Sequence, residues 1–252
     1  MAAEMGFDGV EILHVQMEDE SNAYLQELKR RAHYNGLDLC GFSTHQGFVS
    51  PDPGVRQANV EKTLHQIELA YEMGIPTMRV NTGRWGTIQS FDQLMQARGI
   101  EPRLEGYTDE QGFEWVIDSF AKCVEKARTC GVVLGLENHW GLGISAEGVL
   151  RVVKAIDSPW FQVTMDTGNL FERRNEQLTK LAPHAVLVQA KTYYGGGTWY
   201  ELDIDYDEVA RITQAAGFRG YVSLEFEGKE DYRTAIPKSL ERLRIAFGKR
   251  QG

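Results

Sequence analysis

A parallel β-sheet covered by helices is the fold class that this 252-residue sequence predicts, and three observations carry the prediction. A helical pattern repeatedly closes on glycine and an apolar strand follows: YNG before LDLCGF, EMG before IPTMRV, TCG before VVLGLE and AAG before FRGYVSLE. Gly36, Gly74, Gly131 and Gly217 therefore suit the left-handed position that ends a helix. The helices between these marks have one apolar face, with Val60, Leu64, Ile67 and Tyr71 on one stripe and Phe113, Ile117, Phe120, Val124 and Ala127 on another. The strands are apolar with little alternation, as strands covered on both faces are.

Taken in order, the strands read GVEIL (9–13), LDLCGF (37–42), TMRVN (77–81), VVLGLE (132–137), FQVTMD (161–166), AVLVQA (185–190) and YVSLEFE (221–227). Seven is one short of a closed eight-stranded (β/α) barrel. The opening MAAEMGFDGVEI carries the same helix, glycine, strand mark at Gly6, with no strand before it. We read the chain as starting inside the first helix of a longer unit. The expectation is a single (β/α)8-type domain over residues 1–252 that lacks its first strand; the alternative is a naturally seven-stranded or open α/β sheet. The weakly patterned stretch from Gly83 to Gly112 follows a strand, so it is either a lid or pocket wall on the C-terminal face or a surface excursion.

Composition narrows the partners. A formal net charge of -9 and no Lys/Arg-rich block give the wrong field for a nucleic acid. No apolar run approaches the roughly 18 residues of a membrane span. Cys40, Cys123 and Cys130 are odd in number and form no CxxC pair, which suits structural thiols in a reducing compartment. The cytoplasm is favoured, while a chain read as starting inside a helix leaves an export signal open.

Parallel strands bring their C-terminal ends to one face, so the residues there form a set. These are Glu137, Asn138 and His139; Asp166; Gln189 and Lys191; Glu225 and Glu227. One strand-terminal carboxylate is usually a turn or a cap. Several carboxylates, each directly after an apolar run, would repel one another on partial desolvation, and a bound cation is the natural compensation. Glu137, Asp166, Gln189 and Glu225 offer hard oxygens, which favour Mg²⁺ or Mn²⁺. The two-residue period points Glu225 and Glu227 the same way and turns Asn138 away from Glu137 and His139.

GFDGVEI, LGLENHWG, MDTGN, QAKTYY and YVSLEFEG, in this order, resemble the sugar phosphate isomerase/epimerase superfamily, the xylose isomerase-like TIM barrels that also include AP endonuclease family 2. The resemblance runs from Gly6 to about Leu243. It implies one divalent metal, Mn²⁺ or Mg²⁺ with Zn²⁺ or Co²⁺ compatible, held by Glu, Asp, His and Glu from four strands. These positions fall on Glu137, Asp166, Gln189 and Glu225, so Gln189 is a departure from histidine. A histidine that many members carry three residues after the Asp is here Asn169.

The implied activity is sugar epimerisation or aldose-ketose isomerisation, with Glu137 and Glu225 moving a proton on a carbon next to a carbonyl through a metal-stabilised enediolate. An inosose dehydratase-type lyase and a carbohydrate-binding barrel without turnover are the rivals. His139, Lys191, His45, Trp140 and Asn169 are candidates for binding a small sugar, together with Arg84, preferred to Arg79 in RVNTGRWG. Trp85, Tyr193 and Tyr194 are candidate apolar walls, and Gly195 to Gly197 either cradle a phosphate or form a mobile loop. Losing the first strand would leave an edge between GVEIL and YVSLEFE that is open to association, including with a second copy of the chain.

Overall fold

The computed structural model describes residues 1–248. Seven strands, β1 (Gly9–Leu13), β2 (Asp38–Ser43), β3 (Thr77–Val80), β4 (Val133–Glu137), β5 (Phe161–Asp166), β6 (Ala185–Thr192) and β7 (Val222–Phe226), form one sheet in sequence order. Every neighbouring pair is parallel. The connecting helices are α1 (Asn22–Tyr34), α2 (Pro53–Met73), α3 (Phe91–Gln96), α4 (Asp109–Cys130), α5 (Ala146–Ile156), α6 (Arg174–Leu181), α7 (Tyr206–Ala215) and α8 (Tyr232–Phe247). The curled sheet is a nearly closed barrel. Among the described residues no helix is long and apolar enough to cross a membrane.

The glycine stops behave as read. Gly74 and Gly131 end α2 and α4 at φ 72° and 69°, and their N–H groups return to the last-turn carbonyls. Two of the sequence expectations shift. Tyr71 is 61% exposed, because α2 turns Val60, Thr63, Ile67 and Ala70 inward instead. Thr63 and Gln66 tolerate the interior by finding partners: the Thr63 hydroxyl donates to Asn59 O at 2.7 Å, and Gln66 Oε1 accepts from Gln46 Nε2 at 3.2 Å. The Gly83–Gly112 stretch also contains more structure than its pattern suggests. It holds α3, and α4 starts three residues before Gly112, where Thr108 and Gln111 form a reciprocal capping box.

The core lies between sheet and helices, with Phe48, Phe120 and Phe161 in a row at ring-centroid distances of 4.9 and 4.7 Å. Packing in this layer fixes the heights at which the strands end. β1 and β7 are the outer strands and are not backbone-paired with each other. Side chains cross the gap: Ser223 on β7 hydrogen-bonds the Glu11 carboxyl on β1, and the Tyr221 hydroxyl, just before β7, reaches past β1 to donate to the Asp38 carboxylate on β2.

Candidate active site

The C-terminal strand ends surround a cavity of about 430 Å³ lined by Glu11, Ser43, His45, Arg79, Glu137, His139, Asn169, Lys191, Glu225 and Glu227, with Phe91, Trp140, Phe171, Trp199 and Tyr200 as its apolar walls. Phe91, Met95, Arg98 and Gly99 come from the stretch before α4, so that segment walls the cavity.

Glu137 ends β4 and is buried. Its Oε2 accepts from Arg79 Nη1 at 2.8 Å and Asn81 Nδ2 at 2.8 Å, and its Oε1 from Asn169 Nδ2 at 3.1 Å. Burial opposes its ionisation, but the charge that His139 takes on only in acid, the permanent charges of Arg79 and Lys191 and the Asn81 hydrogen bond outweigh it and pull the carboxyl down to about 2. Glu137 is therefore a carboxylate at neutral pH. Asn138 turns away, as the two-residue period requires. Its amide donates to Asp166 O and accepts from Asp166 N, both at 2.8 Å. His139 is partly buried against Trp140, with ring centroids 4.1 Å apart, and its buried Nδ1 has no hydrogen-bond partner. Burial lowers it to about 3, despite the pull of Glu137, so it is a neutral imidazole.

A second charge cluster is built on β5, β6 and β7. Lys191 Nζ lies 2.8 Å from Glu225 Oε2, 2.7 Å from Glu227 Oε1 and 3.5 Å from Asp166 Oδ2. Glu225 and Glu227 thus do point the same way. Asp166 Oδ1 accepts from Gly168 N at 2.6 Å, whereas its Oδ2 is a buried oxygen with no hydrogen bond. Gln189, the register partner of Asp166, donates from Nε2 to Glu11 Oε1 at 2.9 Å and leaves its own Oε1 without a partner.

These contacts correct the argument that the carboxylates need an external cation for compensation. Arg79 and Lys191 already supply two charges from inside the barrel. Among the described residues no three His, Cys, Asp or Glu side chains converge as a metal-holding group. The residues nevertheless suit a hard cation at two points. Asp166 Oδ2, which faces Lys191 Nζ at 3.5 Å but accepts no hydrogen bond, and Gln189 Oε1, which accepts none either, are buried oxygens on paired positions of adjacent strands. The other two expected donors, Glu137 and Glu225, are at present held by Arg79 and Lys191.

The remaining expected residues divide. His45, His139, Trp140, Asn169 and Lys191 line the cavity, but Arg84 does not. Its guanidinium braces the loop after β3, bonding Glu101 Oε2 at 2.8 Å and Ile88 O at 2.9 Å. Arg79 is the arginine that enters, because it lies within the strand and its side chain points along the barrel interior. Trp85 packs on Trp115 at 6.1 Å instead of walling this cavity, and Tyr193 and Tyr194 do not line it either. The glycine run is fastened and not a free loop. Gly197 pairs with Gly228, and Lys229 N and Glu230 N bond Gly196 O and Tyr194 O at 2.9 and 3.1 Å, fastening this segment to the end of β7. Sequence reasoning passed over Glu11; the available signal was a lone charge in the middle of the apolar strand GVEIL.

The family profile described as xylose isomerase-like TIM barrel matches residues 1–246. D-psicose 3-epimerase of Ruminiclostridium cellulolyticum is 25% identical over 173 residues, covering 66% of this chain and 54% of the relative. L-ribulose-5-phosphate 3-epimerase UlaE of Shigella flexneri is 24% identical over 273 residues, covering 99% of this chain and 88% of the relative. The match thus spans about half the length of the first relative and nearly nine tenths of the second. Among solved structures, D-psicose 3-epimerase with D-tagatose from Clostridium cellulolyticum H10 has a TM-score of 0.77 at 17% identity, over 98% of this chain and 91% of that one. The 3-keto-D-glucoside 4-epimerase of E. coli has a TM-score of 0.76 at 20% identity, over 96% and 90%. Both structural likenesses are likenesses of fold.

Proposed function

Because the chain belongs to the xylose isomerase-like TIM barrel family, we propose that it is a sugar epimerase or isomerase acting on a ketose or keto-sugar, with Glu137 and Glu225 as its proton-transferring carboxylates. The observation that carries this reading is the pairing of each carboxylate with its own cation in one cavity: Glu137 with Arg79 and Glu225 with Lys191, both at 2.8 Å. A carbon next to a carbonyl loses a proton only if the negative charge that develops on oxygen is stabilised. Arg79 and Lys191 place fixed positive charge beside the carboxylates, and neutral His139 adds a polar group without a competing charge. One of the two groups, as the carboxylate, removes the proton, and the other, entering the step as the carboxylic acid, returns one; exchange with solvent then resets the pair. Return to the same carbon from the opposite face gives the epimer; return to the neighbouring carbon gives the aldose-ketose isomer. Phe91, Trp140 and Trp199 offer apolar surface to sugar C–H groups and narrow the access of water.

The relatives' activities, on psicose, ribulose 5-phosphate and a keto-glucoside, support this substrate class. The orphaned oxygens of Asp166 and Gln189 support a divalent cation, with Glu137 and Glu225 completing its donors and Mn²⁺ or Mg²⁺ preferred. When bound, such an ion would polarise the substrate carbonyl.

The test is a screen of ketoses in deuterated water. Deuterium entering the substrate with formation of an epimer or aldose is the expected result. Glu137→Gln and Glu225→Gln are each expected to lower turnover by about 10²–10⁴-fold, with Glu227→Gln milder. Equal activity in all three would sink the assignment. A new dicarbonyl or enol absorbance without an epimer would point to a lyase.

A further inference from the structure

Gln189 presents a problem that an imidazole at the same position would not. Turning a carboxamide by half a revolution exchanges an acceptor oxygen for a donor NH₂, and a donor aimed at a cation is repulsive. Something has to choose which end faces the charge cluster. Gln189 is fully buried, its Nε2 lies 2.9 Å from Glu11 Oε1 and 3.5 Å from Ser43 Oγ, and its Oε1 has no partner. Glu11 Oε1 already accepts from the Ser43 hydroxyl, so it acts as an acceptor toward Gln189, selects the nitrogen end and leaves the oxygen for the other side. Glu11 is itself fixed from two strands, by hydroxyls of Ser43 on β2 and Ser223 on β7. Asp166, register partner of Gln189, carries the second orphaned oxygen.

We propose that Glu11 is a positioning residue that holds the Gln189 amide with its oxygen toward the carboxylate cluster, and so makes glutamine a usable donor to a divalent cation. This rests on the reading of the site given above. A carboxylate in the middle of an otherwise apolar edge strand then has a purpose that core packing does not give it. Outer partners that orient a metal donor commonly change metal affinity by 10–100-fold when removed.

The experiment is a double-mutant cycle read by free Mn²⁺ in electron paramagnetic resonance titrations, on the wild type, Glu11→Gln, Gln189→His and the double variant, with thermal midpoints recorded alongside. In the Gln189 protein, Glu11→Gln is expected to weaken Mn²⁺ binding by about 10–100-fold, because an amide facing an amide no longer fixes which end points inward. In the Gln189→His background the same change is expected to weaken binding far less, since the ring N–H still finds the introduced amide oxygen. Equal weakening in both backgrounds, or unchanged affinity in the Gln189 protein, would overturn the inference and leave the proposed cation site standing. A wild type that takes up no Mn²⁺ would overturn both.

Discussion

Replacing Lys191 by methionine keeps the volume of the side chain and removes the ammonium that Asp166, Glu225 and Glu227 share. The 2.8 Å and 2.7 Å pairs with Glu225 and Glu227 disappear, and with them the 3.5 Å pair with Asp166. Removing one partner of a buried ion pair typically destabilises by about 3–5 kcal/mol, because the other charge is left without compensation. Here the Glu225 and Glu227 side chains are 31% and 20% exposed, so water relieves part of their charge, whereas Asp166 is fully buried. The expected loss is therefore at the low end, about 3 kcal/mol. At about 2–4 °C per kcal/mol for a chain of this size, the thermal midpoint should fall by roughly 6–12 °C.

The assay is guanidinium unfolding at pH 7 and again at pH 5, with the slope checked for constancy. Burial, the first cause, together with Glu225 and Glu137 already raises the Asp166 carboxyl well above its ordinary value. Without Lys191 the folded variant holds protons on this cluster more tightly still, so its deficit relative to wild type should narrow as pH falls. A loss below about 1 kcal/mol, or a deficit equal at both pH values, would refute the reasoning: the ammonium would then be no more than a neighbour of the carboxylates.

Two further outcomes test other parts of the structure. His139 and His45 are both held neutral, mainly by burial, at about 3 and about 4, against 6.5 in the unfolded chain. The unfolded state therefore binds more protons, and stability should fall on acidification from about pH 6.5 to 4, with each histidine contributing up to about 1.4 kcal/mol per pH unit. Below about 4 only His139 continues. His139→Asn should flatten this limb in urea unfolding series, and an unchanged limb would show that the imidazole is not the group responsible. Gly135→Ala would drive a methyl into Thr164 Oγ1 and place it 3.1 Å from Thr164 N, between β4 and β5. It should destabilise by about 1–3 kcal/mol, with partial recovery on Thr164→Ala; a neutral Gly135→Ala would mean that the two strands yield without strain.

The sequence made strands, helix stops and strand-end chemistry legible because these follow from periodicity and from local backbone rules. Gly36, Gly74, Gly131 and Gly217 all have positive φ, and each of the seven strand segments lies within a few residues of its expected place. Glu137, Asp166, Gln189 and Glu225 stood out in the sequence because each follows an apolar run. What stayed hidden was pairing between strands. Nothing local in TMRVN says that Arg79 will meet Glu137 58 positions later, or that Lys191 will serve three carboxylates. The same blindness preferred Arg84 on the loop to Arg79 in the strand. Glu11 was missed for a related reason, since its partner Gln189 lies 178 residues away. The start of α4 was readable, as Thr108 and Gln111 have capping-box spacing, but hydrophobic pattern alone does not show it in the stretch before Gly112.

Asn138 offers a consequence of a different kind. The β4–β5 ladder ends at Glu137 opposite Thr164, yet the Asn138 side chain presents one donor and one acceptor to the main chain of Asp166, as another peptide group would. A side chain thereby adds a rung to the sheet beyond the point where the backbones separate, and the level of Asp166 is set relative to Glu137 by that rung. Position 138 is consequently restricted although it never meets the cavity. Aspartate would lack the donor, leucine would lack both groups, and glutamine would carry the amide one methylene too far. The spacing of two acidic groups at the ends of neighbouring strands is thus held by an uncharged residue that points away from the cavity.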